Sequence, residues 1–263
     1  MATKVLSLLF LLRKRKKIKK IVLISDLQIP YNDSIATRNL IRFIAKWKPH
    51  QVATVGDEID LPQLSKWERG LAGEFAGTLD EDRQLTKQIL YDLQVSDMVR
   101  SNHTDRLWNS IKTRLPAFAA LPELRFENWL GLPELGIKFW REPMPIAPNW
   151  IVLHGDEGQV SQKGGQTALG LAIRHGKSVV CGHTHRGGLG TITASSGGKI
   201  GHTLYGLEVG NLMSFKSAKY LKGGSGNWQQ GFGILYVQDK KVSPVFVPIE
   251  KDGSFIVEGK VYG

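Results

Sequence analysis

Short apolar, β-branched runs recur along this chain, and five of them end in compact polar clusters: Asp26-Leu-Gln28, Gly56-Asp57-Glu-Ile-Asp60, Ser101-Asn102-His103-Thr-Asp105, His154-Gly155 and Gly182-His183-Thr-His185. A fold that buries the runs as strands must release each cluster where a strand stops and a loop begins. In α/β proteins that edge is where ligands bind. The intervening sequence supplies the helices. Residues 21–24 read as a buried strand, and residues 34–48 as a helix with Ser34 as its cap, apolar positions at Ile35, Leu40, Ile41, Ile44 and Trp47, and Pro49 as its stop. Strands follow at 52–55, 98–100, 151–153 and 178–181, with helices at 79–93 and 166–174. The alternation predicts an α/β fold with a largely parallel core.

After Gly198 the texture changes. Runs at 203–209, 234–237 and 242–249 are separated by Gly, Asp and Lys turns, which predicts a second, mostly antiparallel sheet packed on the first. Residues 61–78 and the Pro-rich 115–149 carry no clear period and read as rims or lids of a site. The division expected is a basic arm, residues 1–17, followed by a single domain, residues 18–263.

The net charge of +11 belongs mainly to that arm: residues 1–20 hold eight basic and no acidic side chains, which leaves +3 for the rest. Its apolar stretch, Val5 to Leu12, is too short to span a bilayer as a helix and lacks the flanks of an export signal. No transmembrane segment and a cytoplasmic protein are therefore expected, the arm being either a solvated extension, a polyanion-binding tail or a weak interfacial anchor. The single cysteine, Cys181, lies inside an apolar run and reads as a buried structural thiol.

The clusters combine hard carboxylate oxygens with imidazole nitrogens, a donor set suited to manganese, iron or zinc, in numbers that fit two divalent ions. In order and spacing they resemble the calcineurin-like metallophosphoesterases, with their D-x-H, G-D-x-x-D, G-N-H-[DE], later H and G-H-x-H motifs, and in particular compact bacterial and phage-encoded members. The resemblance covers about residues 21–247 and implies a two-sheet αββα sandwich with mixed sheets. By position it implies that Asp26, Asp57 and His185 hold one ion, that Asp57, Asn102, His154 and His183 hold the other, and that His103 contacts the phosphate and protonates the leaving oxygen. Asp60 matches a supporting carboxylate. His50, His175 and His202 fall outside the pattern and read as ordinary surface or core residues.

Three positions depart from the pattern. Gln28 stands where the family has histidine, so the first ion would gain at best an amide oxygen, and manganese or magnesium is expected there rather than zinc. Ser101 replaces a glycine. Thr104 separates His103 from Asp105, the acidic residue expected to orient it. The function implied is metal-dependent hydrolysis of a phosphomono- or diester, with two ions, manganese foremost and magnesium, iron or zinc as further options. The arm and Lys216, Lys219 and Lys222 tilt the substrate towards nucleotide or nucleic-acid diesters. Trp67, Trp129, Trp140 and Trp228 could stack bases, though packing explains them equally well. Two other readings stay open: a compact protein phosphatase, and a metal-binding interaction module whose activity Gln28 has weakened. The sequence does not disclose an oligomeric state.

Overall fold

Strand β1 (Lys19–Ile24) is buried on both faces, and its alternate side chains enter two different cores. Val22 and Ile24 face a helical layer, whereas Ile21 and Leu23 face a second sheet. The computed structural model from which this is read describes residues 17–65, 68–70, 72–75, 77–217 and 226–263. Trp67, Lys219, Lys222 and the arm before Lys17 lie outside the described residues.

The further elements are α1 (Ser34–Trp47), β2 (Gln51–Thr54), α2 (Leu79–Asp92), β3 (Asp97–Val99), α3 (Thr104–Arg114), α4 (Phe126–Leu130), β4 (Lys138–Trp140), β5 (Met144–Ala147), β6 (Trp150–Val152), α5 (Gln166–His175), β7 (Ser178–Cys181), β8 (Gly187–Ser196), β9 (Lys199–Val209), β10 (Gly231–Gln238), β11 (Lys241–Pro248), β12 (Phe255–Val257) and β13 (Lys260–Tyr262). The first sheet runs β11-β10-β1-β2-β3-β4, parallel from β1 to β4 and antiparallel at β10 and β11. The second runs β5-β6-β7-β9-β8, parallel across β6, β7 and β9 and antiparallel at its edges. Helices α1 and α2 share one apolar core with the outer face of the first sheet, the inner faces of the two sheets share another, and α5 shares a third with the second sheet. The chain is an αββα sandwich with mixed sheets, as expected.

Helix α1 illustrates how local sequence sets the elements. Its cap is Asp33, not Ser34: the Asp33 carboxylate accepts the amides of Ile35 and Ala36, both at 3.0 Å. A left-handed Lys48 ends it before Pro49. Larger corrections come from the C-terminal third. Its strands do not form a sheet of their own; β10 and β11 pair beside β1, while β8 and β9 extend the sheet begun by β5 to β7. The second sheet is accordingly mixed. Residues 115–149 hold α4, β4 and β5 rather than forming a structureless rim. Cys181 is fully buried, and burial pushes its thiol well above the ordinary range. No described helix is long and apolar enough to cross a membrane.

Candidate metal centre

Five parallel strands deliver their following loops to one edge of the sandwich. Asp26 and Gln28 follow β1, Asp57 follows β2, Asn102 and His103 follow β3, His154 follows β6, and His183 and His185 follow β7. The loops bind one another: Asp26 donates its amide to the Gly56 carbonyl at 3.0 Å, Gln28 to that of Asp57 at 2.9 Å, and Gly182 to that of His154 at 2.8 Å. Asp26, Gln28, Asp57, His183 and His185 all have positive φ, between 52° and 65°. Glycines make the close approach feasible: a Cβ on Gly182 would stand 2.6 Å from Asp26 Oδ2, and one on Gly56 would stand 2.7 Å from the Ser101 Cβ.

All the expected ligands meet here. His154 Nε2 lies 3.2 Å from Asp57 Oδ2 and 3.0 Å from Asn102 Oδ1, while the Val55 carbonyl at 2.8 Å fixes its Nδ1. His185 Nε2 lies 3.1 Å from Asp26 Oδ1. Asp57, His154 and His183 each offer a donor atom within 4.8 Å of the others. The Gln28 amide reaches both halves, its nitrogen 3.4 Å from Asp57 Oδ2 and 3.4 Å from His185 Nε2. A half-turn of that amide presents its oxygen to the same place.

The electrostatics call for positive charge. Burial would raise the carboxyl of Asp57, but His103 and His154 hold it well below the usual range; Asp26 is lowered despite burial by His185. Conversely, burial would depress His154, yet Asp57 and Asp26 hold its imidazolium up to about 10. Burial and the neighbouring His154 lower His183. A proton on His154 thus occupies the role that a cation would fill. His185 Nδ1 is buried without a hydrogen bond, Asp26 Oδ1 meets His185 Nε2, and mixed carboxylate, amide and imidazole donors suit a divalent transition ion. On these observations the residues fit a metal.

Two departures from the expected motif turn out to be partners. Ser101 has ordinary φ, its hydroxyl accepts the Thr104 amide at 3.2 Å, and the Thr104 hydroxyl accepts the Ser101 amide at 2.9 Å, closing the entrance to α3 reciprocally. Asp105 is a correction. Thr104 carries it round the helix to Arg100, 2.7 Å away, and the carboxylates beside His103 are Asp60, 3.2 Å from Nδ1, and Asp57, 3.5 Å from Nε2. Sequence reasoning missed three neighbours. Arg106 touches His103 Nε2 at 2.7 Å. Glu208, wholly buried on β9, accepts the Thr184 hydroxyl at 3.0 Å and the Thr167 amide at 2.8 Å. Asn211 donates to the His185 carbonyl at 3.0 Å. Of the tryptophans, Trp129 and Trp140 pack against cores, whereas the Trp228 ring lies 4.6 Å from that of His185.

The chain matches no protein-family model. It is similar to the Gene 54 protein of Mycobacterium phage D29, 38% identical over 254 residues spanning 93% of this chain and 98% of that one. The Gene 54 protein of Mycobacterium phage L5 is 38% identical over 253 residues, with the same coverage. Among solved structures, Vps29 of Chaetomium thermophilum aligns with a TM-score of 0.49 at 12% identity, covering 93% of this chain and 98% of that one. The phosphoesterase Yfce of E. coli aligns with a TM-score of 0.38 at 13% identity, covering 86% and 98%.

Proposed function

The chain belongs to the family of the mycobacteriophage Gene 54 proteins, and we propose that it is a metal-dependent phosphoesterase of the calcineurin-like type, hydrolysing a phosphomono- or diester. The observation that carries this reading is the convergence of Asp26, Asp57, Asn102, His154, His183 and His185 at the strand ends of both sheets, with their carboxylate, amide and imidazole atoms facing one another. Asp26, Gln28 and His185 would hold one divalent ion, Asn102, His154 and His183 a second, and Asp57 would serve both, with manganese the expected metal. When bound, such ions supply Lewis-acid charge to phosphoryl oxygens and make water a competent nucleophile at neutral pH.

The chain's own groups do the rest. The Val55 carbonyl fixes the ring orientation of His154 through Nδ1 and leaves Nε2 facing the site. His103 stands at the edge of the cluster, with Asp60 holding its Nδ1 side, and would pass a proton from Nε2 to the leaving oxygen. The tilt towards nucleotide or nucleic-acid diesters is supported by the partly buried Trp228 face beside His185 and the exposed Lys216.

The test is metal analysis after manganese reconstitution, joined to a panel of bis-p-nitrophenyl phosphate, mononucleotides, cyclic nucleotides, oligonucleotides and a phosphopeptide. Stoichiometric uptake with hydrolysis of nucleotide esters is expected. Hydrolysis of the phosphopeptide alone would identify a protein phosphatase, and neither uptake nor hydrolysis would leave an interaction module.

A further inference from the structure

Arg106 occupies a position that helix physics disfavours. It is the third residue of α3, where the partial positive charge of the helix N-terminus opposes a cation. One turn on from His103, its side chain bends back to the centre: Nη1 donates to the Asp60 carbonyl and lies 3.5 Å from Asp60 Oδ1, and Nη2 lies 2.7 Å from His103 Nε2. The side chain remains 21% exposed, at the edge of the cluster.

We propose that Arg106 is a substrate-binding residue that clamps a non-bridging phosphoryl oxygen. This rests on the phosphoesterase reading above. A guanidinium has donors and no acceptor, so in its contact with His103 the Nε2 nitrogen accepts. An arriving phosphoryl oxygen is a better acceptor than neutral imidazole, because the hydrogen bond becomes charge-assisted on both sides, and a fork anchored through Nη1 on Asp60 needs only to turn its other arm. Binding of the anion then exchanges one acceptor, His103 Nε2, for another, the phosphoryl oxygen.

The experiment compares wild type, Arg106→Gln and Arg106→Lys by manganese titration, by equilibrium dialysis of inorganic phosphate against the manganese-loaded chain, and by hydrolysis of p-nitrophenyl phosphate. Arg106→Gln should weaken phosphate binding by about tenfold or more, the scale of losing a charged hydrogen bond, with manganese affinity unchanged. Arg106→Lys should recover part of the loss, since the charge returns without the fork. Unchanged phosphate binding in Arg106→Gln overturns the proposal, and so does a loss that merely follows weakened manganese binding, because Arg106 would then be a brace for Asp60. A wild-type chain that takes up no manganese fails at the earlier step and overturns the phosphoesterase reading itself.

Discussion

Thr184→Val should destabilise the chain and loosen its metal site together. Thr184 sits between His183 and His185, is 4% exposed, and hydrogen-bonds through its hydroxyl to the fully buried Glu208 at 3.0 Å and to the Arg186 amide at 3.2 Å. Valine keeps the shape but strips both bonds. An unpaired buried carboxylate oxygen costs about 1.5–3 kcal/mol and an orphaned amide about 1 kcal/mol, so a total near ~3 kcal/mol is expected. That is a large share of the roughly 5–15 kcal/mol that stabilises a domain. Urea unfolding followed by circular dichroism should show a lower midpoint at unchanged slope. Glu208 also accepts the Thr167 amide at 2.8 Å and the Ala168 amide at 3.3 Å at the start of α5, so the lost bond unfastens the histidine loop from that helix. Manganese affinity should fall by about tenfold to a hundredfold, the usual effect of losing a residue that orients ligands. A variant within about 0.5 kcal/mol of wild type with unaltered manganese binding would refute the role assigned to this bond.

Asp57→Asn should abolish manganese uptake, measured by calorimetric titration, since both halves of the proposed centre would use that carboxylate; normal stoichiometry would count against it. Gly182→Ala should displace Ser25 and Asp26 together, because the new Cβ would overlap the Ser25 hydroxyl and lie 2.6 Å from Asp26 Oδ2, at a cost of about 1–3 kcal/mol in thermal unfolding and with weakened manganese binding. An unperturbed chain would show that the loop relaxes freely. Glu58 is wholly buried, with Oε2 lacking a hydrogen bond, and burial raises its carboxyl from 4.5 to about 7. A folded-state value above the unfolded one means that its contribution is complete below pH 4.5 and is lost as the pH rises through about 7. Under chelation, Glu58→Gln should therefore gain about 1–3 kcal/mol over wild type at high pH and nothing in acid. Equal gains at pH 4.5 and pH 8, compared by urea unfolding, would contradict the assignment.

The strands that carry the site were legible because they are buried on both faces and so appear as unbroken apolar runs, as in Ile21 to Ile24 and Ser178 to Cys181. Helix α3 was not: its sequence is largely polar and buries apolar side chains only at Leu107 and Ile111, one contact row rather than a stripe. Strand β8 is glycine-rich and mostly exposed, so it lacks alternation to read. Which sheet receives β9 or β10 depends on long-range pairing that no local pattern encodes. The candidate ligands stand out by their order, but Glu208 and Asn211, which brace their loops, lie far away in the chain. Glu208 did leave a signal, as a lone carboxylate inside the apolar run of β9. Arg106 left another, one helical turn after His103.

The backbone explains why those supports matter. Asp26, Gln28, Asp57, His183 and His185 have φ of 53°, 52°, 57°, 65° and 56°. Each left-handed residue costs about 1 kcal/mol or more, and together they consume an amount comparable to the net stability of a small domain. Such strain persists only where surrounding structure over-determines it. Here each strained loop is held by its neighbours: the Asp26 carboxylate accepts the His183 amide at 3.0 Å, the Asp57 carbonyl accepts that of Gln28 at 2.9 Å, and Asn211 holds the His185 carbonyl at 3.0 Å. The Asp26–His183 bond crosses from one sheet to the other and ties the two groups of loops together. Gln28 then has a role beyond its donor atoms. Its left-handed backbone and its amide contact to Asp57 and His185 keep the first loop closed, which a shorter side chain would not reach to do.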